Sequence, residues 1–160
     1  NDLTDSSGFA FIQNGFPLKL RMGYNLISLP LIPVPNARES LFGSSIDTPV
    51  SLYRWYSAYP GITPPQYYLE DTISPGLGYL LYSPIDNARL NIAGLKIEDS
   101  EYSVILQSGW NMIGVPYTES VLLYKIQVQS RTTGETRPYI DAVKAGWIGN
   151  TIYNLKAGNY

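Results

Sequence analysis

The chain has 160 residues, enough for one ordinary domain or two small ones, and 44% of them are hydrophobic, which is sufficient for a packed core. A formal net charge of -2, with 11 scattered Lys and Arg residues, provides no basic surface for nucleic acid or anionic lipid. Neither cysteine nor histidine occurs, which excludes disulfides, thiolate metal sites and a Ser-His-Asp triad. No stretch approaches the roughly 20 apolar residues of a membrane helix, so we expect neither nucleic-acid binding nor membrane insertion.

The remaining composition favours β-structure. The 14 tyrosines, 14 glycines and 12 prolines are typical of short strands joined by tight turns. In chain order, apolar runs predict strands at Phe16 to Leu20, Asn25 to Leu31, Val50 to Tyr56, Gly78 to Tyr82, Arg89 to Ile97, Tyr102 to Leu106, Met112 to Val115, Leu122 to Val128 and Trp147 to Tyr153. Short helices are predicted at Asn36 to Phe42 and Tyr139 to Ala145. A helix over Glu119 to Gln129 is the alternative to the strand predicted there, although the Val and Ile content favours a strand. The predicted class is all-β with one or two short helices.

One pattern occurs twice. Residues 18–30 align without a gap with residues 104–116, an offset of 86 positions. The identical pairs are Leu20/Leu106, Gly23/Gly109, Asn25/Asn111, Ile27/Ile113 and Pro30/Pro116, and the same offset places Tyr67 on Tyr153 and Leu69 on Leu155. The repeat predicts internally duplicated β-sandwich or barrel-like units. We divide the chain into an N-terminal extended segment (1–17), a first β unit (18–99) and a second β unit (100–160) that is incomplete at its C-terminal end.

The repeated pattern is interpreted as strand, turn and strand. We expect the glycine to take a positive φ and the asparagine side chain to bond nearby backbone. The aromatic residue between them, Tyr24 or Trp110, is expected to pack on the core, and Ile27 and Ile113 are expected on the buried face. The pattern therefore has a structural role in this interpretation.

The pattern resembles the GWNLISLP β-repeats of exported and cell-surface proteins of bacteria and archaea. The segment Pro75 to Tyr79 is similar to the Pro-Gly-x-Gly-Tyr-Trp segment that commonly follows in those repeats, with Leu80 where their tryptophan usually stands. This resemblance covers most of residues 18–160. It implies an extracellular or cell-surface location and a modular organisation, and it implies no reaction.

Moving Pro75 to Tyr79 by the same offset points beyond Tyr160, so the second unit lacks the corresponding strand. Three explanations stay open. The sequence stops before that strand, or Ser7 to Ile12 supplies it within the same chain, or a neighbouring subunit supplies it by β-augmentation. The last would make the protein a self-assembling surface layer or filament, because an unpaired apolar edge in water attracts another strand.

No catalytic group, cofactor or metal site is predicted. The acidic clusters Glu70-Asp71 and Glu98-Asp99 with Glu101 are interpreted as solvated turns, since adjacent strand residues point to opposite faces. A calcium loop would need alternating Asp or Asn with Gly, which these clusters lack. We therefore expect a protein without enzymatic activity.

An aromatic cluster surrounds a Pro-rich loop. The candidate ligand-binding residues are Trp55, Tyr56, Tyr59, Tyr67 and Tyr68. Such rings stack on sugars or make protein contacts, with Arg54 and Gln66 as polar anchors, whereas core packing of Tyr53 and Trp55 is the structural alternative. The sequence thus predicts a non-catalytic extracellular structural or adhesive module whose partners are other protein subunits. The alternative is a carbohydrate-binding module that uses the aromatic loop.

Overall fold

The computed structural model describes residues 15–42, 51–57, 65–98 and 101–151. Regular structure in these ranges is mostly β-strand, with two short helices and one 3₁₀ turn, so the predicted all-β class is confirmed. The strands are β1 (Phe16–Leu20), β2 (Gly23–Ile27), β3 (Ile32–Pro33), β4 (Ser51–Tyr56), β5 (Gln66–Leu69), β6 (Tyr79–Ser83), β7 (Ala88–Ile92), β8 (Gly94–Leu95), β9 (Gln127–Gln129) and β10 (Thr136–Pro138). The helices are α1 (Arg38–Phe42) and α2 (Tyr139–Lys144), and the 3₁₀ turn is Leu123–Lys125.

Two antiparallel strand pairs lie next to each other where the chain passes from one sheet to another. β1 pairs with β7, and β2 pairs with β6 in a different sheet. The connections from β1 to β2 and from β6 to β7 lie next to each other, and the Met22 amide donates a hydrogen bond to Asp86 Oδ1 at 3.4 Å. Strands that follow each other in the chain therefore belong to different sheets, and these sheets enclose a common core.

The larger sheet has the strand order β2-β6-β4-β5, with antiparallel pairing throughout. Successive side chains of a strand point to opposite faces, so this sheet has an inner face that carries Leu52 and Leu81 and an outer face. The core combines the inner face with β1, β7, the segment after β2 and helix α1. Its buried members are Leu18, Leu20, Ile27, Leu29, Leu31, Leu41, Phe42, Leu52, Ile73, Tyr79, Leu81, Ala88, Leu90 and Ile92.

A small ladder of β3 and β8 closes one side of this core. Gly94 in β8 packs directly on β3, because a Cβ placed on it would lie 2.4 Å from the carbonyl oxygen of Ile32. The strand predicted at Arg89 to Ile97 is interrupted between Ile92 and Gly94, so it is divided between β7 and β8 in the structure. Glycine is needed here for a close approach of two backbones.

The described chain forms two compact units, one ending at Thr118 and one beginning at Glu119. In the second unit, β9 and β10 pair as an antiparallel hairpin, and the Tyr139 amide at the start of α2 donates to the Ile126 carbonyl at 2.9 Å. The guanidinium of Arg137 lies 4.4 Å from the ring centre of Trp147, a cation–π contact. The helix predicted at Tyr139 to Ala145 is thus present as α2.

Two strand predictions in this unit need correction. The segment Leu122 to Val128 is not one strand, because residues Leu123–Lys125 form a 3₁₀ turn before β9 begins. Residues 147–151 of the strand predicted at Trp147 to Tyr153 are also irregular, and the rest of it lies outside the described residues. The division predicted between residues 99 and 100 concerns the repeat and stays a prediction.

Candidate functional site

The two Gly-aromatic-Asn turns have the same hydrogen bonds. In the first turn, Asn25 Oδ1 accepts from the Arg21 amide at 2.9 Å, and Asn25 Nδ2 donates to the carbonyls of Arg21 and Gly23 at 2.8 and 3.0 Å. In the second turn, the side chain of Asn111 makes the equivalent three bonds to residues 107 and 109, at 2.8, 2.8 and 2.9 Å. The glycines have φ values of 94° and 85°. The predicted positive φ and the predicted asparagine bonding are therefore confirmed at both turns.

The predicted position of the aromatic residue in each turn is wrong. Tyr24 is 64% exposed and Trp110 is 55% exposed, so neither ring is buried in the core. In the first turn the reason is the alternation of β2, in which Ile27 points inward and Tyr24 therefore lies on the outer face.

The segments that flank the two turns differ in burial. Leu20 and Ile27 are 0% and 5% exposed, whereas their counterparts Leu106 and Ile113 are 40% and 59% exposed. Around the first turn, β1 pairs with β7 and β2 pairs with β6, and the side chains of Leu20 and Ile27 belong to the hydrophobic core. The strands predicted at Tyr102 to Leu106 and Met112 to Val115 are absent, because residues 102–115 have no strand partner in the described part of the chain beyond one bridge.

That single bridge joins Ile113 to Leu77, in the Pro-Gly-x-Gly-Tyr segment. The Gly78 amide donates to the Met112 carbonyl at 3.0 Å, and the Gly114 amide donates to the Gly76 carbonyl at 3.1 Å. A Cβ on Gly76 would lie 2.7 Å from Val104 Cγ2, and one on Gly78 would lie 3.1 Å from Met112 Cβ. The glycines of this segment therefore let the second turn region approach closely, which gives them a structural role.

The outer face of the four-stranded sheet is aromatic. Cross-strand neighbours on it include Tyr24 beside Tyr82 and Trp55 beside Tyr67, with ring centres 5.2 and 5.1 Å apart. Tyr53 lies between these pairs, 6.5 Å from Tyr24. We call this surface the outer aromatic face. Its residues are Tyr24, Leu26, Ser51, Tyr53, Trp55, Tyr67, Leu69, Leu80 and Tyr82.

The structure divides the five predicted ligand-binding residues between two faces. Trp55 and Tyr67 belong to the outer aromatic face. Tyr56 and Tyr68 point to the opposite face, where their rings lie 5.7 Å apart and the Tyr56 hydroxyl donates to Glu70 Oε1 at 2.6 Å. Tyr59 lies outside the described residues. The predicted set is therefore not brought together as one platform.

The predicted polar anchors also lie away from the outer aromatic face. Arg54 stacks over the ring of Tyr56 at 4.9 Å, and Gln66 bonds the hydroxyl of Tyr68, both on the face opposite Trp55. Sequence reasoning missed Tyr24 and Tyr82 as members of the outer face. The alternation of β2 and β6 carried that signal, but the pairing of the two strands was needed to place the rings together.

Within the described residues, no group of three or more acidic, histidine or cysteine side chains could hold a metal ion. None of the helices in these ranges has the length and hydropathy needed to span a bilayer. Searches against protein-family models, curated proteins and solved structures return no match to this chain. The resemblance to GWNLISLP repeats therefore stays a prediction, and function has to be argued from the surfaces themselves.

Proposed function

We propose that this protein is a non-catalytic structural or adhesive module of an exported or cell-surface protein, and that its copies assemble by β-strand complementation. The observation that carries the proposal is the exposure of Leu106 and Ile113, whose counterparts Leu20 and Ile27 are buried in the core and lie on strands with hydrogen-bonded partners. The second turn has the local geometry of the first, and no strand among the described residues pairs with its flanks beyond one bridge. The segment Ser7 to Ile12, which the sequence offers as an intrachain partner, lies outside those residues.

The backbone of the second turn region supports this proposal. In an antiparallel bridge of this kind, Met112 O and Gly114 N face residues 76–78, so the N–H and C=O of Ile113 face the opposite side. No described residue forms a ladder with that side. An apolar edge with unpaired backbone groups is a template for a strand from another chain.

The proposed surface location is supported by the resemblance to GWNLISLP repeats. The proposed absence of a reaction is supported by the sequence, which contains neither cysteine nor histidine. The outer aromatic face supports the adhesive part of the proposal, since tyrosine and tryptophan are enriched where proteins bind one another.

The test measures the state of association of the full chain over a wide range of concentration. The methods are size-exclusion chromatography with light scattering and electron microscopy. We expect concentration-dependent oligomers or filaments, and we expect Ile113→Lys to reduce them because a charge would be buried at the strand edge. Met22→Lys is the matched control, since Met22 is also an exposed apolar residue, next to the first turn. A strictly monomeric chain, or equal effects of the two variants, would overturn the proposal.

A further inference from the structure

A cavity of about 230 Å³ lies beside β4, and its described lining comes from three places in the chain. These are Arg54 on β4, a segment after β5 that includes Ser74 and Leu77, and residues 102–105, which precede the second turn. Arg54 points to the face of the sheet opposite the outer aromatic face. We propose that this cavity binds the carboxylate of a small apolar acid, which pairs with the guanidinium of Arg54.

The charge of Arg54 has no carboxylate partner among the described residues. The two other half-buried arginines in these ranges each have one, since Arg38 lies 3.3 Å from Asp71 and Arg137 lies 2.7 Å from Glu135. The remaining described arginines are exposed to water. Charges removed from water are normally paired, so Arg54 is the exception that calls for an anion from outside the described chain.

The contacts that Arg54 does make leave its charge uncompensated. Its guanidinium stacks over the ring of Tyr56 at 4.9 Å, and Arg54 Nη1 donates to the Tyr56 hydroxyl oxygen at 3.4 Å. The nearby carboxylate of Glu70 accepts from the Tyr56 hydroxyl at 2.6 Å and forms no ion pair with Arg54. A guanidinium has five N–H donors. Tyr56 therefore holds the guanidinium in place while most of its donors stay available to a ligand.

The charge of Arg54 also reaches the wall of the cavity that Ser74 forms. The Ser74 amide donates to the Tyr79 hydroxyl oxygen at 3.0 Å. Burial raises the pKa of the Tyr79 phenol, whereas the bond from Ser74 and the positive charge of Arg54 act in the opposite direction. The guanidinium therefore lies close enough to this wall to attract an anion that enters the cavity.

The remaining lining favours a singly charged acid with a short apolar chain. Arg54 is the one charged residue in the described lining, and Leu77, Val104 and Ile105 provide apolar walls. The planar fork of a guanidinium matches the two oxygens of a carboxylate, and a single cation suits a single negative charge. A volume of about 230 Å³ is below the roughly 300–1,000 Å³ of pockets for drug-sized ligands, so only a few carbon atoms fit beside the carboxylate.

The experiment titrates the full chain with isovalerate at neutral pH and follows the backbone amides by NMR. We expect saturable shifts at Ser74, Ser103 and Val104, with a dissociation constant of about 1 mM or lower. Isovaleramide, which has the same shape without the charge, should bind at least about tenfold more weakly. This comparison uses the unmodified chain and so does not depend on how a variant folds. No saturation by isovalerate up to about 20 mM, or equal binding of acid and amide, would overturn the proposal.

Substitutions then assign the binding to the guanidinium. Arg54→Gln should weaken isovalerate binding at least about tenfold, and Arg54→Lys should weaken it less, because lysine keeps the charge and loses the fork. Arg89→Gln is the matched control, since Arg89 is an exposed arginine on β7, and it should leave the affinity unchanged. Isovalerate binding that Arg54→Gln does not weaken, or that both glutamine variants weaken equally, would place the ligand elsewhere and contradict the inference.

A second ligand distinguishes a free acid from the carboxylate at the end of a peptide. N-acetyl-glycyl-leucine has a branched apolar side chain and a terminal carboxylate on a peptide backbone. If it binds more tightly than isovalerate and Arg54→Gln removes this binding, the site accepts the end of a polypeptide chain. If it binds more weakly, the site is specific for a free small acid, and the pairing of a carboxylate with Arg54 is supported in both cases.

Discussion

The two Gly-aromatic-Asn turns share their local structure and differ in what surrounds them. Each asparagine side chain makes three bonds within five residues of the chain, and both glycines take a positive φ. The flanks of the first turn are buried strands, whereas the flanks of the second are exposed and irregular. The turn is therefore specified by local sequence, and the burial of its flanks depends on pairing strands and on the core that the rest of the chain provides.

The magnitudes explain why the second turn keeps its shape without those strands. A hydrogen bond contributes about 0.5–1.5 kcal/mol net, and bonds inside a tight turn need no distant partner. Burying one Leu or Ile side chain contributes about 1.5–3 kcal/mol, and that contribution exists only where another element covers the side chain. Leu106 and Ile113 remain 40% and 59% exposed, so they have gained only part of this contribution.

The largest expected difference between the two turns is in the free energy of unfolding that is lost when the leucine before each turn is replaced by alanine. Leu20→Ala should lower it by about 2–5 kcal/mol, because it leaves a cavity in a fully packed core. Leu106→Ala, at the equivalent and partly exposed position, should lower it by less than about 1 kcal/mol. Urea denaturation followed by tryptophan fluorescence, in the Ile113→Lys background to keep the chain dissociated, compares the two. Equal losses would mean that the second turn is covered as the first one is.

Sequence patterns correctly predicted several strands that have a pairing partner in the fold. Strands β1, β4 and β6 were predicted because their apolar residues alternate or are dense, and helix α1 was predicted within Asn36 to Phe42. The strands predicted at Tyr102 to Leu106 and Met112 to Val115 were wrong for a physical reason. Their residue types match those of the aligned residues 18–30, but strand formation is decided by a partner, and a single sequence does not show which partner is present.

The candidate site was predicted in part, for a related reason. Trp55 and Tyr67 were identified from an aromatic cluster along the chain, and the structure places them on the outer aromatic face. Tyr24 and Tyr82 belong to the same face although they lie far away in sequence, and the register of β2 with β6 brings them together. Neighbours along a strand, such as Trp55 and Tyr56, are separated because alternate residues point to opposite faces.

A smaller effect is expected from the asparagines, and it should be equal at the two turns. Asn25→Ala and Asn111→Ala each remove three hydrogen bonds, so the amides of Arg21 and Gln107 should lose protection from hydrogen exchange corresponding to about 1–2 kcal/mol. Asn→Asp at either position keeps the oxygen that accepts from this amide and removes the donor, so we expect a partial loss. Loss of protection at the first turn alone would break the equivalence of the two turns.

The smallest expected effect is on the pH dependence of the free energy of unfolding, to which Tyr79 and Tyr102 contribute differently. Burial raises the pKa of the Tyr79 phenol above its usual value, although the bond donated to its oxygen by the Ser74 amide, 3.0 Å long, acts in the opposite direction. Burial also raises the pKa of Tyr102, with a further contribution from Tyr117. Tyr79 is almost fully buried in the core, whereas Tyr102, which precedes the second turn, is 36% exposed. We therefore expect the linkage between ionisation and unfolding to depend mainly on Tyr79.

The direction of that linkage follows from the raised pKa. A phenol with a higher pKa in the folded protein holds its proton more tightly there than in the unfolded chain. The resulting stabilisation is complete below the pKa of the phenol in the unfolded chain, and it is lost as the pH rises through the pKa of the phenol in the folded protein. The free energy of unfolding should therefore fall as the pH increases above about 10, the usual pKa of tyrosine. Tyr79→Phe should flatten this fall more than Tyr102→Phe does, in urea denaturation at a series of alkaline pH values. If the free energy of unfolding of Tyr79→Phe falls with pH as steeply as that of the unmodified chain, Tyr79 does not control alkaline stability.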